Sequence, residues 1–89
     1  MSYKKELDFF RNKIDNIDEA IVELLNERFD IVKNIYKLKK NNDLPIENIN
    51  RESEVLSKIQ KNSKYNNILE IYKKIILISK EIQKDEIKS

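Results

Sequence analysis

Apolar residues recur through the first half of the chain at alternating steps of three and four: Leu7, Phe10, Ile14, Ile17, Ile21, Leu24, Ile31, Ile35 and Leu38. That spacing is an a/d heptad seam, and it predicts one long helix with a single buried face. Neither Pro nor Gly interrupts it. The helix is expected to begin near Ser2 or Tyr3 and to end near Asn41 or Asn42, where polar residues and Pro45 stop it. One a position breaks the apolar rule: the seam places Arg28 between Leu24 and Ile31. A guanidinium facing a helical core is costly unless an anion meets it. No acid occupies another a or d position of this helix, so the partner must come from elsewhere or from a ligand.

The rest of the chain predicts two shorter helices. Residues 42–49 read as a loop. A second helix runs from Ile49 or Asn50 to about Lys61, with Asn48 or Asn50 as N-cap and Val55, Leu56 and Ile59 as its apolar face. Glu52 lies three residues before Val55 and four before Leu56, on that same face. Residues 62–67 form a polar turn, with Asn66 or Asn67 capping a third helix that carries Ile68, Ile71, Tyr72, Ile75, Ile76, Ile82 and Ile87. Ser79 and Gln83 continue the row Tyr72–Ile76, which brings two polar groups onto a core-facing stripe. There is no strand pattern and no internal repeat, so the fold class is all-α, three helices in one domain spanning residues 1–89.

Length then changes the picture. At ~1.5 Å per residue the first helix is about 55–60 Å long, whereas a globule of this size has a radius of gyration of about 12 Å. A helix that outreaches its own globule and carries an apolar seam calls for a second chain, most simply in a twofold homodimer.

Composition removes several chemistries. Charged residues make up 38% of the chain, yet the net charge is only +2, with both signs interspersed; this is a solvated surface rather than a nucleic-acid footprint. The chain has no Cys, hence no disulfide or thiolate site, and no His, the commonest general base and metal ligand. The polar N-terminus carries no signal peptide, and the longest apolar run, residues 75–78, is far too short to span a bilayer. A cytoplasmic protein is expected.

The arginines are informative. Lysine outnumbers arginine fivefold, and the only arginines are Arg11, Arg28 and Arg51. Arg resists replacement by Lys where a planar fork must grip a carboxylate or phosphate. Lys39 follows Arg28 by eleven residues, almost three turns, so both project from similar faces ~16 Å apart. Each polar group also has a plain reading. Arg28 can snorkel, Glu52 can be a boundary residue, Ser79 and Gln83 can flank a narrow stripe, and Lys39 can be one solvated lysine among Lys33, Lys37 and Lys40. Arg28, Glu52, Ser79 and Gln83, converging in a helical core, point instead to a pocket for an anion, while spacing alone favours the solvated reading of Lys39.

Five stretches taken together resemble the small all-helical chorismate mutases. They are LDFFRNKIDNID at residues 7–18, LLNERFDIV around Arg28, Lys39 itself, LPIENINRESEVL holding Pro45, Arg51 and Glu52, and SKEIQ giving Ser79 and Gln83. The resemblance implies an intertwined homodimer of three-helix chains in which the long helices pair. It implies that Arg28, Lys39, Arg51, Glu52, Ser79 and Gln83 come from one chain and Arg11 from the other. Geometry agrees: Arg11 and Lys39 lie 28 residues apart, ~42 Å along one helix, too far for one small ligand.

The implied reaction is the Claisen rearrangement of chorismate to prephenate, a unimolecular step on the route to Phe and Tyr. It needs no nucleophile, metal or other cofactor. By resemblance, Arg11 and Arg28 hold carboxylates, Lys39 and Gln83 donate to the ether oxygen, Glu52 with the region of residue 48 holds the ring hydroxyl, and Ser79 and Arg51 complete the wall. Relatives often carry Asp where this chain has Asn48. Two alternatives stay open. One is elimination of pyruvate from isochorismate on the same fold. The other is a non-catalytic helical dimerisation or regulatory module, which predicts a seam without convergent polar groups.

Overall fold

The computed structural model describes residues 2–88. The elements are α1 (Ser2–Asn41), α2 (Ile49–Asn62) and α3 (Asn67–Lys88), an all-α chain whose boundaries match those expected from the pattern.

The way α1 ends is specific. The Leu44 N–H donates to the Lys39 carbonyl at 2.8 Å and the Asp43 N–H to the Lys40 carbonyl at 3.4 Å. These are the two bonds of a Schellman closure, which needs a left-handed residue after the cap. Glycine usually fills that position, but the chain has none, and Asp43 takes it with φ 55°. Short polar side chains tolerate this region better than most. Pro45 then prevents the helix from restarting.

Helix α2 begins on Asn48, whose extended backbone (φ −136°) marks it as the cap. Its side-chain oxygen accepts the Arg51 N–H at 3.0 Å, and its carbonyl accepts the Glu52 N–H at 3.0 Å. Asn50, the other candidate, lies inside the helix. At the far end the Ser63 hydroxyl donates to the Ile59 carbonyl, and the Ile68 N–H reaches the Tyr65 carbonyl at 3.2 Å as α3 starts.

The chain divides into two compact units between Asp30 and Ile31, inside α1. In the first unit the seam is exposed: Leu7, Phe10, Ile14, Ile17, Ile21 and Leu24 all face solvent in the single chain, Leu24 at 63%. Phe9 and Phe10 meet edge to face with ring centres 5.5 Å apart, and the Lys13 ammonium stands 4.6 Å above the Phe9 ring. Leu25, Arg28 and Phe29 are half-buried.

The second unit holds the end of α1, α2 and α3. Helices α2 and α3 pack on each other, with Val55, Leu56 and Ile59 half-buried and Ile76 buried. Ile71 and Ile87, expected on the same face of α3, are exposed. Ile71 is turned about 100° from its neighbour Tyr72, and Ile87 falls in the last turn. On α1 the buried residues are Val32 and Tyr36, while the seam residues Ile31, Ile35 and Leu38 remain exposed. Lys33 forms an ion pair with Glu86 of α3 at 3.5 Å.

The burial exposes a second row in the sequence of α1. Leu25, Arg28, Phe29, Val32, Tyr36 and Lys39 recur at threes and fours, and all six are buried or half-buried. Arg28 belongs to this row as well as to the seam. That accounts for its partial burial where the seam residues on either side, Leu24 and Ile31, are open.

Candidate functional site

The second unit holds five of the expected residues: Lys39 at the end of α1, Asn48 and Glu52 at the start of α2, and Ser79 and Gln83 on α3, which packs on α2. The closure after α1 turns the chain back so that the Lys39 ammonium donates to the Ile46 carbonyl at 2.7 Å. Lys39 is thereby half-buried and directed across the loop rather than into solvent. Beside it opens a groove of about 530 Å³ whose walls include Lys39, Leu44, Pro45, Glu47 and Asn48.

Asn48 faces that groove while its side-chain oxygen caps α2. Asn and Asp cap equally well, so the local fold does not require a carboxylate there. Four residues on, in the same first turn, Glu52 is half-buried. Its Oε1 accepts from the Lys80 ammonium at 3.1 Å. Its Oε2 is buried and has no hydrogen-bond partner among the described residues.

Among the described residues Ser79 and Gln83 are the two buried polar ones, 7% and 6% exposed. The Tyr72–Ile76 row therefore carries them inward, as the sequence spacing implies. The Ser79 hydroxyl donates to the Ile75 carbonyl one turn back at 2.8 Å. The Gln83 amide reaches the Ser79 carbonyl only at 3.5 Å, the outer limit of a hydrogen bond. Its Oε1 is buried with no partner among the described residues. Leaving such an atom unmet costs ~1–3 kcal/mol, so this amide is under-used by the fold itself.

The arginines behave differently. Arg51 is exposed, and its guanidinium pairs with Glu54 one turn along α2. Arg11 is exposed and Arg28 half-buried, both in the first unit.

Lys80 was not singled out by its sequence. It stands on α3 between Ser79 and Gln83 and bonds Glu52 at 3.1 Å and Glu47 at 3.4 Å. The hydrogen bond it donates to Glu52 holds its ammonium above the ordinary pKa of 10.5, against the opposing pull of desolvation. The folded value is the raised one, so the stabilisation is fully present below 10.5 and is lost only as pH climbs through the higher folded value. The available signal was its position four residues after Ile76, which puts it at the border of the buried row.

Among the described residues no group of three carboxylates or other ligand side chains is placed to hold a metal ion. Among the same residues no helix is long and apolar enough to cross a membrane. The second unit thus carries a half-buried ammonium (Lys39), a half-buried carboxylate (Glu52), and a buried amide and hydroxyl (Gln83 and Ser79).

Comparison with known proteins identifies the family of this three-helix chain. The family model for chorismate mutase type II matches residues 10–84, and the chain belongs to that family. A chorismate mutase of Methanocaldococcus jannaschii is 31% identical over 85 residues, covering 90% of this chain and 86% of that protein. A bifunctional chorismate mutase/prephenate dehydratase of Buchnera aphidicola is 43% identical over 68 residues, 76% of this chain. The chain spans only 18% of that bifunctional protein's length. Among solved structures, a conserved hypothetical protein from Pyrococcus furiosus superposes with a TM-score of 0.77 at 40% identity, covering 86% of this chain and 93% of its own.

Proposed function

We propose that the chain is a chorismate mutase, rearranging chorismate to prephenate in the cytoplasm as a homodimer. The observation that carries this reading is the buried pair Glu52 and Gln83. Each keeps a buried oxygen without a hydrogen-bond partner among the described residues. A core retains such groups at a cost, and a polar ligand repays it.

The chemistry suits these side chains. The rearrangement breaks a C–O bond as a C–C bond forms, within one molecule. The substrate is a dianion with an ether oxygen that gains negative charge as its bond breaks. Lys39, held at the edge of the groove, and the Gln83 amide are the donors suited to that oxygen. Their interaction is strongest where charge is greatest, in the transition state, so they raise the rate and not only the affinity. Arg28 and the partner's Arg11 hold the carboxylates and select the compact conformer in which the reacting carbons are close. Glu52 accepts the ring hydroxyl, Asn48 shapes the same end of the groove, and Ser79 and Arg51 complete the wall. A millionfold acceleration asks ~8 kcal/mol of these effects together.

The homodimer is supported by the exposed seam. Nine apolar side chains at heptad spacing, from Leu7 to Leu38, are open in the single chain, and a second copy is the simplest cover. The test is incubation of the protein with chorismate, followed by proton NMR. Prephenate supports the reading; unchanged chorismate overturns it. Release of pyruvate from isochorismate in a parallel incubation would replace it with the lyase reading.

A further inference from the structure

We propose that Lys80 is a positioning residue for catalysis: it holds the Glu52 carboxylate turned as an acceptor for the substrate hydroxyl. The inference rests on the reading of Glu52 given above.

Three observations carry it. First, the Lys80 ammonium is spent on carboxylates. It lies 3.1 Å from Glu52 Oε1 and 3.4 Å from Glu47 Oε1. One ammonium between two carboxylates leaves the cluster net negative, so Lys80 is not a free cation offered to a dianion. Second, the two oxygens of Glu52 are unlike. Oε1 is taken by Lys80, and Oε2 is buried with no partner among the described residues. The bond to Oε1 fixes the plane of the carboxylate and so the direction of Oε2. Third, the contact is long-range. Lys80 is on α3, 28 residues from Glu52 and 33 from Glu47, and it neighbours the buried Ser79 in sequence. The same tie therefore joins the helix carrying Ser79 and Gln83 to the first turn of α2.

The Glu52 and Lys80 side chains are 25% and 23% exposed, so their contact is partly shielded from water. Tied at Oε1, the carboxylate is restricted in rotation, and its buried Oε2 keeps one direction.

The test is a set of variants of the full chain assayed with chorismate. Lys80→Met is expected to lower kcat/KM about ten- to a hundredfold, the loss that a misplaced catalytic group causes, with its helical circular dichroism unchanged. Lys80→Arg, which keeps the charge and the donors, is expected to restore most of the activity. Lys80→Gln keeps a neutral donor and should fall between, and it carries the test alone should Lys80→Met fail to fold. The discriminating readout is non-additivity. Glu52→Gln alone should be impaired, and adding Lys80→Met to it should cost less than about twofold more. The inference is overturned if Glu52→Gln is impaired while folded Lys80→Met and Lys80→Gln match wild type, or if the two lesions simply add. If Glu52→Gln itself is as active as wild type, the role given to Glu52 falls, and the inference falls with it.

Discussion

The two units of the chain invert the usual rule about what is inside. In the first, up to Asp30, the large apolar side chains of the seam are exposed. In the second, two polar residues, Ser79 and Gln83, are as buried as the apolar Val32, Tyr36 and Ile76. Both departures are costly in a free chain, by loss of apolar burial in one case and by unmet polar atoms in the other. The difference is in what repays them. An apolar seam at heptad spacing is repaid by another apolar seam, hence by a protein. Buried amide and carboxylate oxygens are repaid by a small polar molecule. On the proposed function, one region is built for a partner and the other for a ligand.

The comparison can be broken from either side. The largest effect is expected in the seam. Ile17→Asp enters every dimer twice, removing two apolar side chains at ~1.5–3 kcal/mol each and placing like charges across the interface. Analytical ultracentrifugation should show the dimer lost, with much of the helical signal. A variant that keeps both would refute the seam as the dimer contact.

Arg28→Lys should act on the ligand alone. Lysine's point charge cannot reproduce a bidentate grip, so kcat/KM is expected to fall by roughly 10²–10³-fold, comparable to the loss of a positioned donor. The dimer should persist in the ultracentrifuge. Near wild-type turnover would remove Arg28 from the clamp. Gln83→Glu sharpens the same point through pH. The new carboxyl donates to the ether oxygen only when protonated, so activity should be low at neutral pH and rise towards acid, whereas wild type keeps a flat profile there. An unchanged profile would mean that Gln83 does not face the reacting oxygen.

The smallest effect concerns the turn that brings Lys39 to Ile46. Asp43 holds φ 55° without being glycine. Asp43→Gly should relieve that strain, partly offset by the freer unfolded chain, for a gain of about 1 kcal/mol or less. Thermal unfolding measures it, and a clear loss of stability would contradict the capping role.

Much of this was legible in the sequence, for identifiable reasons. The helices show because their apolar residues keep a period and because Asn48 and Pro45 punctuate them. Ser79 and Gln83 show because they extend the row Tyr72–Ile76, where a polar residue is conspicuous. Other features had no such contrast. The row Leu25–Phe29–Val32–Tyr36 runs beside the seam, and the seam accounted for the helix before that row was needed. The left-handed turn at Asp43 was hidden because glycine, its usual sign, is absent. Lys80 was hidden because one lysine among many carries no mark. Only packing of α3 on α2 puts it beside Glu52 and Glu47. The bond from Lys39 to Ile46 likewise depends on the path of a loop that no periodicity encodes.

The central claim is that the first region of each chain completes a site in the other, and mixed dimers test it most directly. Arg11→Ala and Lys39→Ala homodimers should each be nearly inactive, since every site lacks one group. Joint refolding or co-expression then makes half of the dimers mixed. In a mixed dimer one site carries both lesions. The other receives Arg11 from the Lys39→Ala chain and Lys39 from the Arg11→Ala chain. The account predicts recovery of roughly a quarter of wild-type activity with free assortment and independent sites. Mixed dimers that form, and stay as inactive as either parent, would contradict it.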